Sequence, residues 1–211
     1  MRALVVYCHP KDGSFTSAVR DTVIDRLTAA GVPYRLHDLY AEGFPAVLST
    51  DEWVGYEDCP ANRVPVARYA DDIDWCDTLI FVYPTWWYGL PAILKGWLDR
   101  VLLPDIAFKM PQHEGETIKP GLQHIKRLGV FTTCGASRWL TMYIGAPGRR
   151  TLLRGVGLLL APRARKVFAA HYLMDTAPRP SLERHLTRVA MKTDKLIASR
   201  APTAQGRVAT T

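Results

Sequence analysis

Short apolar runs alternate with longer amphipathic stretches along most of the chain. Residues 3–8 (ALVVYC) and 78–83 (TLIFVY) have the length and composition of strands that are buried on both faces. Residues 15–30 place apolar side chains at helical spacing, and Gly31 and Pro33 follow as helix-ending residues. The pattern therefore predicts strands that alternate with helices.

This alternation continues to residue 199. In a chain of 211 residues it indicates one α/β domain with a parallel sheet. The predicted strands lie at residues 3–8, 34–39, 78–83, 127–132 and 167–174, and the predicted helices at 15–30, 64–74, 90–103, 148–160 and 181–199.

The loop after the first strand distinguishes between the two common ways of winding such a sheet. The six-stranded dinucleotide fold carries G-x-G-x-x-G there, whereas residues 9–14 contain only Gly13. We therefore expect residues 1–199 to form a three-layer sandwich around a five-stranded parallel sheet in the order 2-1-3-4-5. The small and polar residues 200–211 predict a disordered tail.

The predicted helix over residues 90–103 has one strongly apolar face. Trp97 belongs to an apolar stripe with the period of an α-helix, which predicts burial against the sheet or against a partner subunit. Lys95 and Arg100 are expected to point outward from the opposite face.

Composition narrows the class of protein. Hydrophobic residues make up 48% of the chain, which is enough for a core and excludes disorder as a description of the whole. The uncharged stretches are shorter than a membrane span, and the chain opens with a strand-like run, so we expect a cytoplasmic protein. No C-x-x-C pair occurs, so neither a metal site nor a disulfide is expected. The four predicted free thiols are Cys8, Cys59, Cys76 and Cys134.

Charge is divided unevenly. Residues 1–105 carry nine Lys and Arg against fifteen Asp and Glu, whereas residues 106–211 carry eighteen against five. Such a basic half is compatible with a nucleic-acid or membrane surface, with a pocket for a phosphorylated ligand, or with an ordinary solvated face. No helix-turn-helix, RRM or OB pattern accompanies it, so no nucleic-acid partner is expected.

Two loops are expected to form the ligand site, because ligands of this fold bind at the carboxyl ends of the strands where the winding direction reverses. The first loop ends in Ser14, Phe15 and Thr16 at the start of a helix, where free backbone N–H groups favour a phosphate. A serine at this place is also the usual N-cap of the helix. Both roles stay open for Ser14.

The loop after the third strand carries three consecutive aromatic residues, Trp86, Trp87 and Tyr88. Adjacent side chains at a strand end cannot all face one core, and flat walls suit a planar ring system. The loop at residues 132–137 adds hydroxyls and small side chains, which let a ligand approach the backbone closely. The three loops are expected to converge on one crevice.

Other occupants of such a fold lack their chemical groups here. A low-molecular-weight phosphatase needs an Arg six residues after Cys8, where the chain has Ser14. A receiver domain needs an Asp at the end of the third strand, and a hydrolase needs a G-x-S-x-G elbow, which is absent. A site with no evident acid, base or metal cluster is typical of chemistry carried by a cofactor such as a flavin.

The motifs resemble those of the flavodoxin-fold NAD(P)H:quinone oxidoreductases, the DT-diaphorase-like family. The resemblance is carried by His9-Pro10 and Ser14-Phe15, by the run PTWWYGLPAILKGWLDRV at residues 84–101, and by TTCG at residues 132–135. It spans residues 1–198. It implies a homodimeric flavoprotein that transfers two electrons from NAD(P)H to quinones by hydride transfer, with FAD as cofactor and FMN as the alternative. Ping-pong kinetics would follow if NAD(P)H and quinone use one shared pocket.

The resemblance also implies a set of site residues. Trp87 and Phe108 would line the space that nicotinamide and quinone occupy in turn. The residues that would hold the flavin are His9, Ser14, Phe15, Thr16, Pro84, Thr85, Trp86, Trp87, Tyr88, Thr132, Thr133, Cys134 and Gly135.

The sequence departs from the family at one point. Animal members carry a Tyr and a His on the loop after the fourth strand, which assist charge transfer; here Trp139 and Tyr143 are the nearest candidates for the Tyr role, and no His is present. A second function stays open, that of a regulatory flavin-binding subunit of a membrane transport system, because the family that the motifs resemble also includes the ancillary reductases of potassium-efflux systems. Association with a membrane is compatible with the sequence but is not indicated by it.

Overall fold

Five parallel strands form the central sheet of the computed structural model, which describes residues 1–111 and 113–198. Their order is β2-β1-β3-β4-β5, which confirms the predicted order 2-1-3-4-5. The predicted tail at residues 200–211 lies outside the described residues. The strands are β1 (Ala3–Tyr7), β2 (Tyr34–Asp38), β3 (Thr78–Thr85), β4 (Arg127–Cys134) and β5 (Arg165–His171).

Helices connect these strands. Two 3₁₀ segments, Ala61–Val66 and Met174–Thr176, and a π-helical segment, Thr151–Val156, complete the helical structure, and Phe108–Lys109 pairs with Lys119–Pro120 as a short antiparallel ribbon. The α-helices are α1 (Phe15–Ala29), α2 (Thr50–Val54), α3 (Ala67–Trp75), α4 (Ala92–Val101), α5 (Arg138–Tyr143), α6 (Pro147–Arg150), α7 (Gly157–Leu159) and α8 (Arg179–Ile197).

The core has two layers because successive strand residues face opposite sides of the sheet. Leu4 and Val6 face one layer, where α3 and α4 pack, with Trp97 fully buried as predicted. Val5 faces the other layer, where α1 and α8 pack and contribute Val23 and Val189. The central strands are buried on both faces, which explains their continuous apolar sequences.

Strand β3 continues two residues beyond its predicted end. Pro84 and Thr85 pair with Thr133 and Cys134 of β4. Pro84 is tolerated because β1 ends opposite Val82, so the nitrogen that lacks a hydrogen faces a side of β3 with no neighbouring strand. The predicted strand at residues 167–174 begins two residues after the observed start of β5 and ends three residues after its observed end. The end was misplaced because the apolar run continues into the turn at residues 172–174.

Arg100 of α4 is buried, contrary to the prediction that it faces outward. Its guanidinium donates to Glu52 Oε1 at 2.9 Å and to the carbonyl of Pro45, and it remains only 6% exposed. Gly96, one turn earlier, lies so close to the same segment that a Cβ atom would approach Ala46 O to 2.0 Å. Helix α4 is thus seated directly on the backbone of residues 45–46.

Candidate functional site

A cleft of about 980 Å³ opens at the carboxyl ends of β1, β3 and β4, as the winding of the sheet predicts. All predicted flavin-binding residues except Thr132 line it, so the three predicted loops converge. Its lining is His9, Ser14, Phe15, Thr16, Pro84, Thr85, Trp86, Trp87, Tyr88, Thr133, Cys134, Gly135, Ala136, Leu140, Met174 and Asp175.

Helix α1 points its N-terminus at one end of the cleft. Ser14 is its N-cap, because Ser14 Oγ accepts from the Ser17 backbone N–H at 3.1 Å. Among the described residues, none accepts a hydrogen bond from the N–H groups of Phe15 and Thr16. These open donors at the positive end of the helix dipole form a site for an anion such as phosphate.

His9 lies beside this helix start. Its Nδ1 is 3.1 Å from the Lys11 nitrogen and 3.0 Å from the Lys11 oxygen, which fixes the imidazole ring against the loop backbone. The ring lines the cleft.

Two pairs of threonine hydroxyls tie the loops together below the cleft. Thr16 Oγ1 lies 3.0 Å from Thr133 Oγ1, and Thr85 Oγ1 lies 2.8 Å from Thr132 Oγ1. Thr132 itself faces a smaller internal cavity beside Tyr83, whose pKa is raised by burial. Thr132 therefore positions the loops and does not line the cleft.

The aromatic residues form a tight hairpin turn. Trp87 has φ 48° and Tyr88 has φ 61°, and the Gly89 N–H donates to Trp86 O at 2.9 Å. Two successive residues with positive φ are typical of a type I′ turn, which ordinarily uses Asn and Gly. For bulky side chains the left-handed region costs roughly 1–2 kcal/mol per residue. The turn holds Trp87 95% exposed at the mouth of the cleft.

The opposite wall contains residues that the sequence did not single out. A Cβ atom on Gly135 would come within 2.5 Å of Asp175 Oδ2, so the Asp175 carboxylate lies directly over this glycine. Met174 and Asp175 lie three and four residues after the end of β5, whereas the predicted strand ran through Met174 and so placed that residue in the sheet. Ala136 belongs to the predicted loop at residues 132–137, whereas Leu140, near the start of α5, carries no comparable signal.

Besides Thr132, three predicted residues do not line the cleft. Phe108 is half-buried against the core cluster around α4, on the short antiparallel ribbon. Trp139 and Tyr143 stack on each other on α5, with ring centroids 5.5 Å apart and 74% and 78% exposure. Their predicted catalytic and substrate-binding roles are thus not explained by contacts within one chain.

A buried histidine pair lies behind Phe15. The His171 and His185 rings are 5.3 Å apart, and each contacts the Phe15 ring. His171 Nε2 is 3.2 Å from Ser181 Oγ, whereas both ring nitrogens of His185 are buried without a partner among the described residues. Burial, together with the neighbouring His171 and Arg188, lowers the pKa of His185 to about 4.

The four cysteines are free thiols. Cys134 is buried in the lining of the cleft, and Cys8 is buried directly after β1. Burial raises the pKa of Cys8, so its thiolate is disfavoured. Within the described ranges, no three His, Cys, Asp or Glu residues are grouped to hold a metal ion. None of the described helices is both long and apolar enough to cross a membrane.

The sheet order and the position of the cleft define an α/β protein of the flavodoxin-like class. The chain belongs to the family described as flavodoxin-like fold, whose model matches residues 1–156. This assignment agrees with the resemblance carried by the loop motifs, since the relatives below bear the names of NAD(P)H and quinone oxidoreductases.

Two curated relatives illustrate the similarity. An uncharacterized NAD(P)H oxidoreductase from Haemophilus influenzae is 34% identical over 140 residues, which is 65% of this chain and 66% of the relative. The human ribosyldihydronicotinamide dehydrogenase [quinone] is 30% identical over 52% of this chain and 54% of its own. The chain thus spans about half to two thirds of the lengths of these relatives.

Two solved structures share the fold. The NAD(P)H:quinone oxidoreductase from Methanothermobacter marburgensis has a TM-score of 0.78 at 24% identity, over 93% of this chain and 98% of its own. Smu.1420 from Streptococcus mutans has a TM-score of 0.77 at 26% identity, over 92% of this chain and 100% of its own.

Proposed function

We propose that this protein is a flavin-dependent NAD(P)H oxidoreductase that passes two electrons to quinones or similar aromatic acceptors. The observation that carries this proposal is that one cleft contains both a helix N-terminus with unpaired backbone N–H groups and flat aromatic walls. The first binds phosphate and the second binds a planar ring, and a flavin nucleotide contains both.

The residues of the cleft fit such a group from end to end. The N–H groups of Phe15 and Thr16 lack acceptors among the described residues and would receive the phosphate, beside Ser14 and His9. Pro84 to Tyr88 would flank the ring and the ribityl chain. Thr133, Cys134 and Gly135 would contact the pyrimidine edge, with Thr132 holding their strand in place.

A bound flavin would supply the capacity to accept a hydride and to pass two electrons on, so the chain itself needs to bind, orient and exclude water. We propose FAD as the bound form, with FMN as the alternative. Structural relatives from Bacillus anthracis and Treponema denticola are described as FMN complexes, which supports a flavin in general.

One space beside Trp87 would receive NAD(P)H and the acceptor in turn. The side chain is 95% exposed and has room for a flat ring against it. If NAD(P)H and the acceptor occupy the same space in turn, we expect ping-pong kinetics, with parallel lines in double-reciprocal plots. Intersecting lines, which indicate a ternary complex, would contradict it.

We further propose that the active unit is a homodimer. Helix α5 exposes the stacked Trp139 and Tyr143 and also Met142, beside the mouth of the cleft. If a second copy covered these side chains, it would remove apolar surface from water and would place them beside the cleft of that copy. Light scattering of the purified protein tests this state directly.

An absorption spectrum of the purified protein tests the flavin. Flavin bands, followed by chromatography of the cofactor released on denaturation, would establish the class and distinguish FAD from FMN. A protein that stays colourless with either flavin added would refute the proposal. A protein that binds flavin but does not oxidise NAD(P)H with any quinone would instead favour the regulatory subunit.

A further inference from the structure

A second cavity of about 470 Å³ lies at the other end of the sheet. It is formed where β4 begins and where a turn leads into β5. Its lining consists of four cationic residues and three small apolar ones: Lys126, Arg127, Arg163, Arg165, Ala161, Pro162 and Ala164.

This cavity is separate from the candidate active site. Arg127 begins β4 and Cys134, which lines the cleft, ends it. Seven residues of extended strand span roughly 23 Å, so a ligand in one site cannot contact the other.

Two of the four cations are held in place by the protein. Arg127 Nη1 lies 3.4 Å from Asp77 Oδ1. Arg165 Nη1 donates to Ala198 O at 2.6 Å and to Lys195 O, at the C-terminus of α8. Their guanidinium groups are therefore oriented, and each retains further N–H donors for a ligand.

The other two cations are uncompensated. Neither Lys126 nor Arg163 forms an ion pair with any described residue. Asp77 is the one carboxylate that pairs with a lining residue in the described part of the chain, so positive charge remains in excess. Such a concave group of cations raises the local concentration of anions.

The wall between the cations is apolar and rigid. Ala161, Pro162 and Ala164 form a turn in which the Ala164 N–H donates to Ala161 O at 2.8 Å. The Ala161 N–H donates to Ile125 O at 3.1 Å, and the Arg165 N–H donates to Lys126 O at 2.9 Å. Since these three backbone donors are already used, the cationic side chains and apolar contact supply most of the recognition.

We propose that this cavity binds a small organic phosphate, a phosphate monoester with a flat or apolar body. A monoester carries close to two negative charges at pH 7, which matches the two uncompensated cations. Guanidinium groups bind phosphate bidentately and stack on flat rings, and the turn offers an apolar contact. The volume suits a small molecule.

Calorimetric titration with phenyl phosphate tests the proposal. The protein is first saturated with FAD, so that the helix N-terminus at α1 does not compete for the probe. Lys126→Gln/Arg163→Gln removes the two uncompensated cations. Lys192→Gln/Arg184→Gln is the matched control, because it removes one Lys and one Arg from α8, outside the cavity.

We expect one phenyl phosphate per chain, with affinity at least ~10-fold weaker in the cavity variant and changed less than about 2-fold in the control. Inorganic phosphate should bind more weakly than phenyl phosphate, because it lacks the ring. Equal loss in both variants, or no binding to the unsubstituted protein, would overturn the proposal. Equal affinity for the two probes would overturn the assignment to an organic phosphate.

Discussion

Thr16 and Thr133 are joined by a buried hydrogen bond of 3.0 Å between their hydroxyls, although 117 residues separate them in sequence. The bond fastens the first turn of α1 to the end of β4. It thereby fixes the distance between the helix start that would hold a phosphate and the strand end that would contact a ring. Both threonines are about 95% or more buried, so neither hydroxyl has water as a ready substitute.

Thr133→Val should destabilise the protein by ~1–3 kcal/mol, because it leaves the buried Thr16 hydroxyl unpaired. Chemical denaturation measures this loss. In the double variant Thr16→Val/Thr133→Val, the loss in free energy of unfolding should be much smaller than the sum of the losses in the two single variants, because no unpaired hydroxyl remains. Thr187→Val, on an exposed face of α8, is the control and should change stability by less than about 0.5 kcal/mol. Additive effects would mean that the two hydroxyls are not coupled.

Trp87→Asn should stabilise the protein by about 1 kcal/mol, since asparagine adopts positive φ more readily than a bulky residue. The exposed indole loses little packing on removal. The same change should lower quinone turnover, because it removes one aromatic wall. Stability is read from denaturation and turnover from steady-state kinetics.

Trp53→Asn provides the comparison for that experiment. Trp53 is also exposed, at 65%, but lies in helix α2 with ordinary backbone angles. It should show neither the gain in stability nor the loss of turnover. A gain of equal size in both variants would show that the turn at Trp87 stores no strain.

Arg100→Leu should lower the free energy of unfolding by about 3 kcal/mol, because Glu52 and the Pro45 carbonyl would lose a buried partner. Lys95→Leu is the matched control on the same helix. Its partner Asp99 is exposed, and an exposed pair contributes less than about 0.5–1 kcal/mol. Equal effects in the two variants, measured by urea denaturation, would contradict the burial of Arg100.

Because the pKa of His185 is lowered in the folded protein, the free energy of unfolding should decrease as the pH falls from about 6.5 towards 4. The unfolded chain takes up a proton in this window, whereas burial keeps the folded imidazole neutral, so the stabilisation present above the unfolded pKa is lost on acidification. From pH 7 to pH 5 the loss should be about 2 kcal/mol.

His185→Phe should remove that part of the pH dependence while it preserves contact with Phe15 and His171. The quantity to compare is the difference between the urea-derived stabilities at pH 7 and pH 5. His113→Gln, an exposed histidine, should leave the difference unchanged. A slope in His185→Phe identical to that of the unsubstituted protein would place the titration elsewhere.

The strands and the three loops of the cleft were predictable because their signals are local. A buried strand needs a continuous apolar run, and the winding of the sheet then determines which loops meet. The ends of β3 and β5 were not predictable in this way. Whether Pro84 can belong to β3 depends on where the neighbouring strand β1 ends. Residues 172–174 are apolar enough to be read as part of β5, although that strand has already ended.

The buried polar contacts could not be predicted from the sequence for a related reason. Arg100 lies on a charged position of an amphipathic helix, and its burial is favourable because of the distant Glu52 and Pro45. The pairing of Thr85 with Thr132 likewise depends on strand register. Such partners are set by tertiary contacts, which hydrophobic periodicity does not describe.

The contact between Gly96 and Ala46 also restricts how far helix α4 and residues 45–46 can move apart. Without a side chain at Gly96, helix α4 rests on the backbone of residues 45–46, and Arg100 holds the Pro45 carbonyl one turn further on. The connection after β2 contains little regular structure, yet it cannot separate from α4 without breaking both contacts. In native-state hydrogen exchange, these irregular residues and α4 should therefore open together as one cooperative unit.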